Sequence, residues 1–208
     1  NKVTNLRLAL KKFNGVVIQP NQTFSFWDVL GSANAKNGYV SGMVLSNGKV
    51  SEGVGGGLCQ LSNFLFWIFL HADVEIVERH HHSVDAFPDS GRTLPYGSGA
   101  TVYENYLDLK IKNSSSAPLQ IKLWLTEDCL KGQILSDRPS AKKFHLVEKN
   151  HLFVERKGQY FRFNEIIRET HREGIKLSEK KILVNFSPVI YPVTNEYFSE
   201  RGYEVVHL

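Results

Sequence analysis

Val3, Leu6, Leu10 and Phe13 recur at helical spacing with Lys and Arg between them. That pattern predicts a short amphipathic helix ended by Asn14-Gly15. Val16-Val17-Ile18 is a β-branched run stopped by Pro20-Asn21, and Thr23-Phe24-Ser25-Phe26-Trp27 alternates as a strand does. Residues 31–38 are small and polar and read as a loop. Residues 39–45 and Lys49-Val50 flank Asn47-Gly48, a strong two-residue hairpin signal. Residues 58–71 hold a strongly apolar run with no Gly or Pro, long enough for a buried helix. Val74 to Val77 is a further strand, and residues 100–103 and 107–112 read as a strand pair. Between them Pro88, Gly91, Pro95, Gly97 and Gly99 mark a long loop, of the kind that often borders a site. Residues 119–125 form another strand, with a turn at Glu127-Asp128.

Beyond Leu130 the texture changes. Lys131-Gly132, Lys157-Gly158 and Glu173-Gly174 punctuate alternating apolar and charged runs, a β-meander pattern. No clustered acid, thiol and base occurs there. The expected fold is therefore α+β: a central buried helix packed on antiparallel strands, with a mainly β subdomain appended. The expected division is 1–138 for the core domain and 139–208 for the appendage, which serves packing or partner contact.

Composition narrows the function classes. The 208 residues carry 42% hydrophobic and 22% charged positions, as an ordinary globular protein does. The net charge of +4 is spread out, and the densest basic groups are the pairs Lys142-Lys143 and Lys180-Lys181. That argues against nucleic acid as a partner. No apolar run spans a bilayer, and the sequence shows no signal peptide. It leaves a cytoplasmic site and one peripheral to the cell envelope both open. Two cysteines, Cys59 and Cys129, allow at most one bridge and give no zinc spacing. No cofactor is called for.

The chemistry concentrates at 53–63. Gly53, Gly55, Gly56 and Gly57 lead into Leu58-Cys59-Gln60 and then Leu61-Ser62-Asn63. A Gly-rich loop that delivers Cys59 into a first helical turn places its thiol at the positive end of the helix dipole. Such settings favour a thiolate, with a pKa of about 3.5–7.5. The sequence reading therefore has Cys59 alkylated faster than Cys129 at mildly acidic pH. The sequence argues against a phosphate loop, because Cys59-Gln60 stands where Lys-Ser/Thr is required. The alternative is a tight packing turn with a buried structural cysteine. A cysteine mechanism also needs a base and a group that orients it. In chain order the candidates are Cys59 as nucleophile, His82 as base and Asp108 as orienter. On a continuing strand His80 and His82 share a face and His81 does not. A zinc site of Cys59, His80 and His82 lacks a fourth ligand.

Several of these residues carry a resemblance. Asn5-Leu6, Asn14-Gly15, Thr23 to Trp27 and Asn47-Gly48-Lys49 take part in it. So do Gly55-Gly56-Gly57-Leu58-Cys59-Gln60, Ser62-Asn63, Leu65-Phe66-Trp67, His82, Phe87-Pro88, Ala100-Thr101, Asp108-Leu109-Lys110 and Asn113. In these the chain resembles the VanW family over most of residues 3–138. The resemblance implies a role in glycopeptide resistance or in the cell envelope, and it brings no established reaction. Many members carry an acid just before the Ala-Thr pair, where this chain has Gly99, so Asp108 becomes the candidate orienter.

Two functions are expected on this basis. One is a cysteine-dependent hydrolase or transferase acting on peptide or amide bonds of cell-wall precursors. In it Gln60 or the N–H groups of the helix start supply an oxyanion site, and Gly55, Gly56, Gly57, Gln60 and Ser62 line the ligand site. The other is a non-catalytic module that binds a peptidoglycan fragment or another resistance protein.

Overall fold

A computed structural model describes residues 1–46, 49–89 and 94–208, with no side-chain detail for Leu45, Ser46, Lys49 and Val50. The chain runs α1 (Lys2–Phe13), β1 (Val17–Ile18), β2 (Thr23–Ser25), α2 (Phe26–Leu30) and a 3-10 turn (Ala35–Asn37). It continues through β3 (Ser41–Ser46), β4 (Lys49–Val54), α3 (Leu58–Phe69), β5 (Val74–Glu78), β6 (Lys110–Asn113), β7 (Leu119–Leu125) and β8 (Leu130–Ser136). Three long strands, β9 (Lys143–Arg156), β10 (Gln159–Arg172) and β11 (Ile175–Pro188), precede α4 (Asn195–Arg201) and β12 (Glu204–His207). The order confirms an α+β fold with a mainly β C-terminal region.

The apolar face of α1 (Leu6, Ala9, Leu10, Phe13) meets that of α3 (Leu61, Leu65, Phe66, Phe69) in one core. Phe24, Ile111 and Ile121 close it from the sheets, with Phe26 of α2 and Leu109 just before β6, and Ile166 and Leu183 reach the same cluster from β10 and β11. Burial of this kind stabilises by about 25 cal/mol per Å² of apolar surface. That is what holds the twelve-residue α3 in place, since no side chain caps its first turn. A second, smaller cluster gathers Phe153, Val189 and Phe198 among four tyrosines.

The described residues form four sheets, ordered β1-β7-β8, β2-β6-β5, β3-β4 and β11-β10-β9-β12. All pairings are antiparallel except β12 on β9. The β3-β4 hairpin has the expected register, with Ser46 opposite Lys49; its turn residues Asn47 and Gly48 lie outside the described residues.

Two expected strands are shorter than the sequence pattern. Thr23 to Trp27 is strand only as far as Ser25, which caps α2: its hydroxyl accepts from the Asp28 N–H at 3.1 Å. Ser25 with Asp28 three residues on is a helix-start signal that outweighs the alternation. Residues 100–112 are strand only from Lys110. Asp108 and Glu78 take over the backbone groups that a ladder would use: Glu78 Oε1 accepts from the Asp108 N–H at 3.0 Å. Asp108 Oδ1 accepts from the Leu109 N–H at 2.8 Å. Tyr103 and Leu107 pair alone around a turn whose Asn105 sits at φ 67°.

Candidate functional site

The Gly-rich loop is pinned from two sides. Asn5, fully buried on α1, donates its amide to the Val40 carbonyl and to the Gly56 carbonyl, both at 2.9 Å. Its own oxygen accepts from the Val40 N–H. Gly56 lies flat against Gly42 of β3, so close that a Cβ there would fall 2.5 Å from Gly42 Cα. Gly57 precedes α3 at φ 96°, a left-handed conformation that glycine adopts at no steric cost. These contacts fix where α3 begins and therefore where Cys59 points.

Cys59 is the second residue of α3. The N–H groups on either side of it are spent on the loop: Leu58 donates to Gly55 and Gln60 to Gly57. The Cys59 N–H has no acceptor among the described residues. Its thiol is half-buried and free, and its polar contact is the Val102 carbonyl at 3.8 Å, which an S–H can donate to. Burial pushes the Cys59 thiol above the ordinary range. This runs against the expectation of a ready thiolate: the packing that seats α3 takes water from the sulfur, which favours the neutral thiol. Cys129 is exposed in the connection between β7 and β8. With iodoacetamide near neutral pH, Cys129 is expected to be alkylated first. Cys59 should gain reactivity only as pH rises beyond the usual thiol range, about 8.5. Peptide mapping over a pH series checks this, and rapid labelling of Cys59 at pH 6 would refute it.

A cavity of about 1010 Å³ opens beside the thiol. Cys59, Gln60 and Asn63 of α3 line it together with Arg79 and His82 from beyond β5. His82 Nδ1 lies 3.0 Å from Thr101 Oγ1, and the ring's Nε2 has no partner among the described residues. Burial lowers the His82 pKa below the ordinary histidine value, helped by the charges of Arg79 and His81. His82 is thus held neutral, as a general base must be. No hydrogen bond joins Cys59 to His82 among the described residues. Each is instead held by one of two consecutive residues, Val102 and Thr101.

Asp108 is not at this cavity. Its carboxylate accepts from Ser25 Oγ at 2.6 Å, from Leu109 N–H at 2.8 Å and from Trp27 N–H at 3.3 Å. It staples α2 to β6, and the residue against the His82 ring is Thr101. The histidine alternation fails as well. β5 stops at Glu78, so His81 and His82 both line the cavity, whereas His80 turns to Glu78 at 3.0 Å. Among the described residues no three His, Cys, Asp or Glu side chains gather as metal ligands.

The loop residues divide in the same way. Gly55, Gly57 and Gln60 line the cavity, while Gly56 and Ser62 serve its frame. The Ser62 hydroxyl donates to the Ala100 carbonyl at 2.6 Å. Asn63 Oδ1 accepts from the Ala100 N–H at 2.8 Å. A side chain at Gly99 would collide with Asn63, which accounts for glycine there. The sequence pattern gives no sign of several contributors, among them Arg79, which follows directly on β5, and Asn185 and Ser187 of β11, which belong to the cavity wall. Only the tertiary packing brings β11 to this place.

The wall next to β11 rests on a buried charge cluster. Arg162 of β10 reaches Asp85 at 3.3 Å and Asp89 at 2.5 Å, and its Nε donates to His151 Nε2 at 2.8 Å. The Tyr191 hydroxyl donates to Asp85 at 2.9 Å, and that of Tyr203 donates to Asp89.

A family model described as VanW-like protein matches residues 1–135. The vancomycin B-type resistance protein VanW of Enterococcus faecalis (strain ATCC 700802 / V583) is 35% identical over 195 residues. The alignment covers 93% of this chain and 71% of that protein. The uncharacterized protein YoaR of Bacillus subtilis (strain 168) is 36% identical over 121 residues, 57% of this chain and 37% of that one. No solved structure matches the chain.

Proposed function

The chain belongs to the VanW family, and on that premise we propose that it serves glycopeptide resistance or cell-envelope metabolism as a cysteine-dependent hydrolase or transferase. Its substrates are peptide or amide bonds of cell-wall precursors. The observation that carries this reading is the shared cavity: a thiol at the start of α3 and a neutral, oriented imidazole line the same space. The division at 138 belongs to the same reading, with 1–138 bearing the chemistry and 139–208 as an appended, mainly β subdomain.

The proposed steps follow from the residue environments. With its proton on Nδ1, shared with Thr101, His82 keeps a lone pair on Nε2. Nε2 takes the Cys59 proton as the sulfur attacks the carbonyl carbon. The oxyanion that forms is met by the open Cys59 N–H, with the Gln60 side chain nearby. The C–N bond breaks, and the amine leaves with the proton from His82. Water, or an acceptor amine, then releases the acyl group from sulfur with His82 again as base. A hydrogen bond between thiol and imidazole that is loose without substrate and tightens with it is common in such sites.

A muramyl pentapeptide should be shortened by the full chain, as followed by liquid chromatography and mass spectrometry, and Cys59→Ser should stop that turnover. One observation favours a second reading, a binding module: the thiol donates to Val102 and burial keeps it protonated. Saturable binding of the pentapeptide, unchanged by Cys59→Ser and without product, would replace the enzyme by that module.

A further inference from the structure

Among the described residues, Arg79, just beyond the end of β5, is the arginine that lines the cavity wall. Its guanidinium is half-buried and lies 5.4 Å from the Phe66 ring centroid. Nε donates to the Gly99 carbonyl at 2.9 Å and Nη2 to the Gly97 carbonyl at 2.6 Å. These two bonds occupy one edge of the planar fork. Nη1 and the second N–H of Nη2 have no acceptor among the described residues, and Arg79 forms no ion pair among them.

Of the carboxylates that line or adjoin the cavity, Glu52 of β4 forms no ion pair with Arg79 among the described residues, and the others have partners of their own. Asp85 is held by Arg162 and Tyr191. Glu78 is held by Lys110 and His80. Glu104 accepts from Ser32. A desolvated guanidinium without a counter-ion is costly, and carbonyl dipoles offset that cost only in part. Burial pulls its pKa down to about 10.

We propose that Arg79 is the anchor for a carboxylate of the ligand that enters the Cys59 cavity, gripped by the free end of the guanidinium fork. This rests on reading the cavity as a ligand site. A carboxylate fits the free end bidentately and carries one negative charge against one positive. A phosphate dianion would need a second cation at the fork; His82, which feels the charge of Arg79, is neutral, and the other cation of the wall, Lys2, packs against Gly57 at the start of α3. The ligand is therefore a short peptide or acylated amino acid with a free carboxylate. Arg79 sets its position, with the amide to be attacked lying toward Cys59. Seating the carboxylate also relieves His82 of an adjacent positive charge, so anchoring should strengthen the base.

The test uses the full chain with N-acetyl-alanyl-alanine and its carboxamide as probes, followed by NMR of the His82 ring. The His82 signal is identified by its loss in His82→Ala. The acid should bind about tenfold or more tightly than the amide, in line with a charge-assisted bidentate contact. It should also raise the His82 pKa, while the amide leaves it unchanged. Arg79→Gln should raise the His82 pKa in the free protein and abolish the preference for the acid. Arg79→Lys keeps the charge without the fork, so it should preserve the His82 pKa and lose most of the preference. Equal binding of acid and amide by the unaltered chain, no binding of either, or a preference that survives Arg79→Gln overturns the proposal. The anchor and the enzyme reading fail separately. Carboxylate preference without any pentapeptide turnover keeps the anchor and removes the enzyme. Equal turnover of pentapeptides with free and amidated ends does the reverse.

Discussion

On the proposed mechanism, replacing His82 with alanine is expected to lower turnover of the wall peptide by about 10²–10⁴-fold, the usual worth of a positioned general base. The loss should appear in kcat, with KM little changed, because the imidazole acts on the thiol's proton rather than on the ligand. The pH profile gives a sharper readout. The His82 pKa is pushed below about 6.5, the ordinary value, so the base stays neutral through the mildly acidic range. Activity should therefore fall only below that value. The Cys59 thiol is pushed the other way, so it stays protonated at neutral pH and needs the base throughout. His82→Ala should erase the acid limb and leave residual turnover that climbs with pH as the thiol ionises by itself. Thr101→Val removes only the partner of Nδ1 and should cost less, through loss of the preferred tautomer. A His82→Ala variant with the original acid limb would remove His82 from the mechanism.

The second large effect is on stability. Arg162→Met should destabilise the fold by about 3–5 kcal/mol, the cost of removing one partner from a buried ion pair. Arg162 is 1% exposed and Asp85 3%. Burial alone would weaken the guanidinium's hold on its proton; Asp89 and Asp85 reverse this and raise its pKa. The same cluster pushes the Tyr203 phenol up to about 12, through burial and then Asp89. The guanidinium also lies over Tyr96, 4.6 Å from the ring centroid, so methionine loses packing as well as charge. For a chain of this size the melting temperature should fall by about 6–20 °C. Asp85, Ala86 and Phe87 line the cavity, so ligand binding should weaken before the protein unfolds. Urea denaturation decides the matter: a loss below about 1 kcal/mol would mean that the cluster contributes no net stability.

Local patterns carried much of the fold. The spacing of Leu6, Leu10 and Phe13 gave α1, and the run from Leu58 gave α3, because each helix buries one periodic stripe. The long β-meander was also legible, from alternation and the turns at Lys157-Gly158 and Glu173-Gly174, whereas Lys131-Gly132 lies inside β8, paired with Trp124 and Leu123. Side chains that compete with the backbone ladder were harder to foresee. Ser25 ends a strand by capping a helix, and Asp108 and Glu78 capture N–H groups that a regular strand pair would have used.

That Cys59 and His82 could line one cavity was legible, since a Gly-rich helix start and a histidine cluster are visible in one dimension. The site's electrostatics were not. Whether a helix-start thiol is ionised depends on how much water its neighbours exclude, which is a property of the packed core. Asp108 was misplaced for a related reason: a carboxylate in the right chain order still goes to whichever donors lie nearest, and here those are Ser25 and the backbone N–H groups of Trp27 and Leu109. Arg79 gave no signal of its own. Its meaning lies in the Gly97 and Gly99 carbonyls and in the absence of an ion pair among the described residues.

The most direct test of the account is to look for the acyl group on sulfur. The full chain is mixed with a muramyl pentapeptide, quenched in acid within the first turnover, and examined by intact mass and peptide mapping. The account predicts a mass increase equal to the transferred acyl fragment, located on Cys59, absent from Cys129 and lost in Cys59→Ser. It predicts slower formation of the same adduct in His82→Ala. Unmodified Cys59 in a protein that demonstrably binds the pentapeptide, at every quench time and with the peptide intact, would contradict the nucleophile and leave the cavity as a binding site.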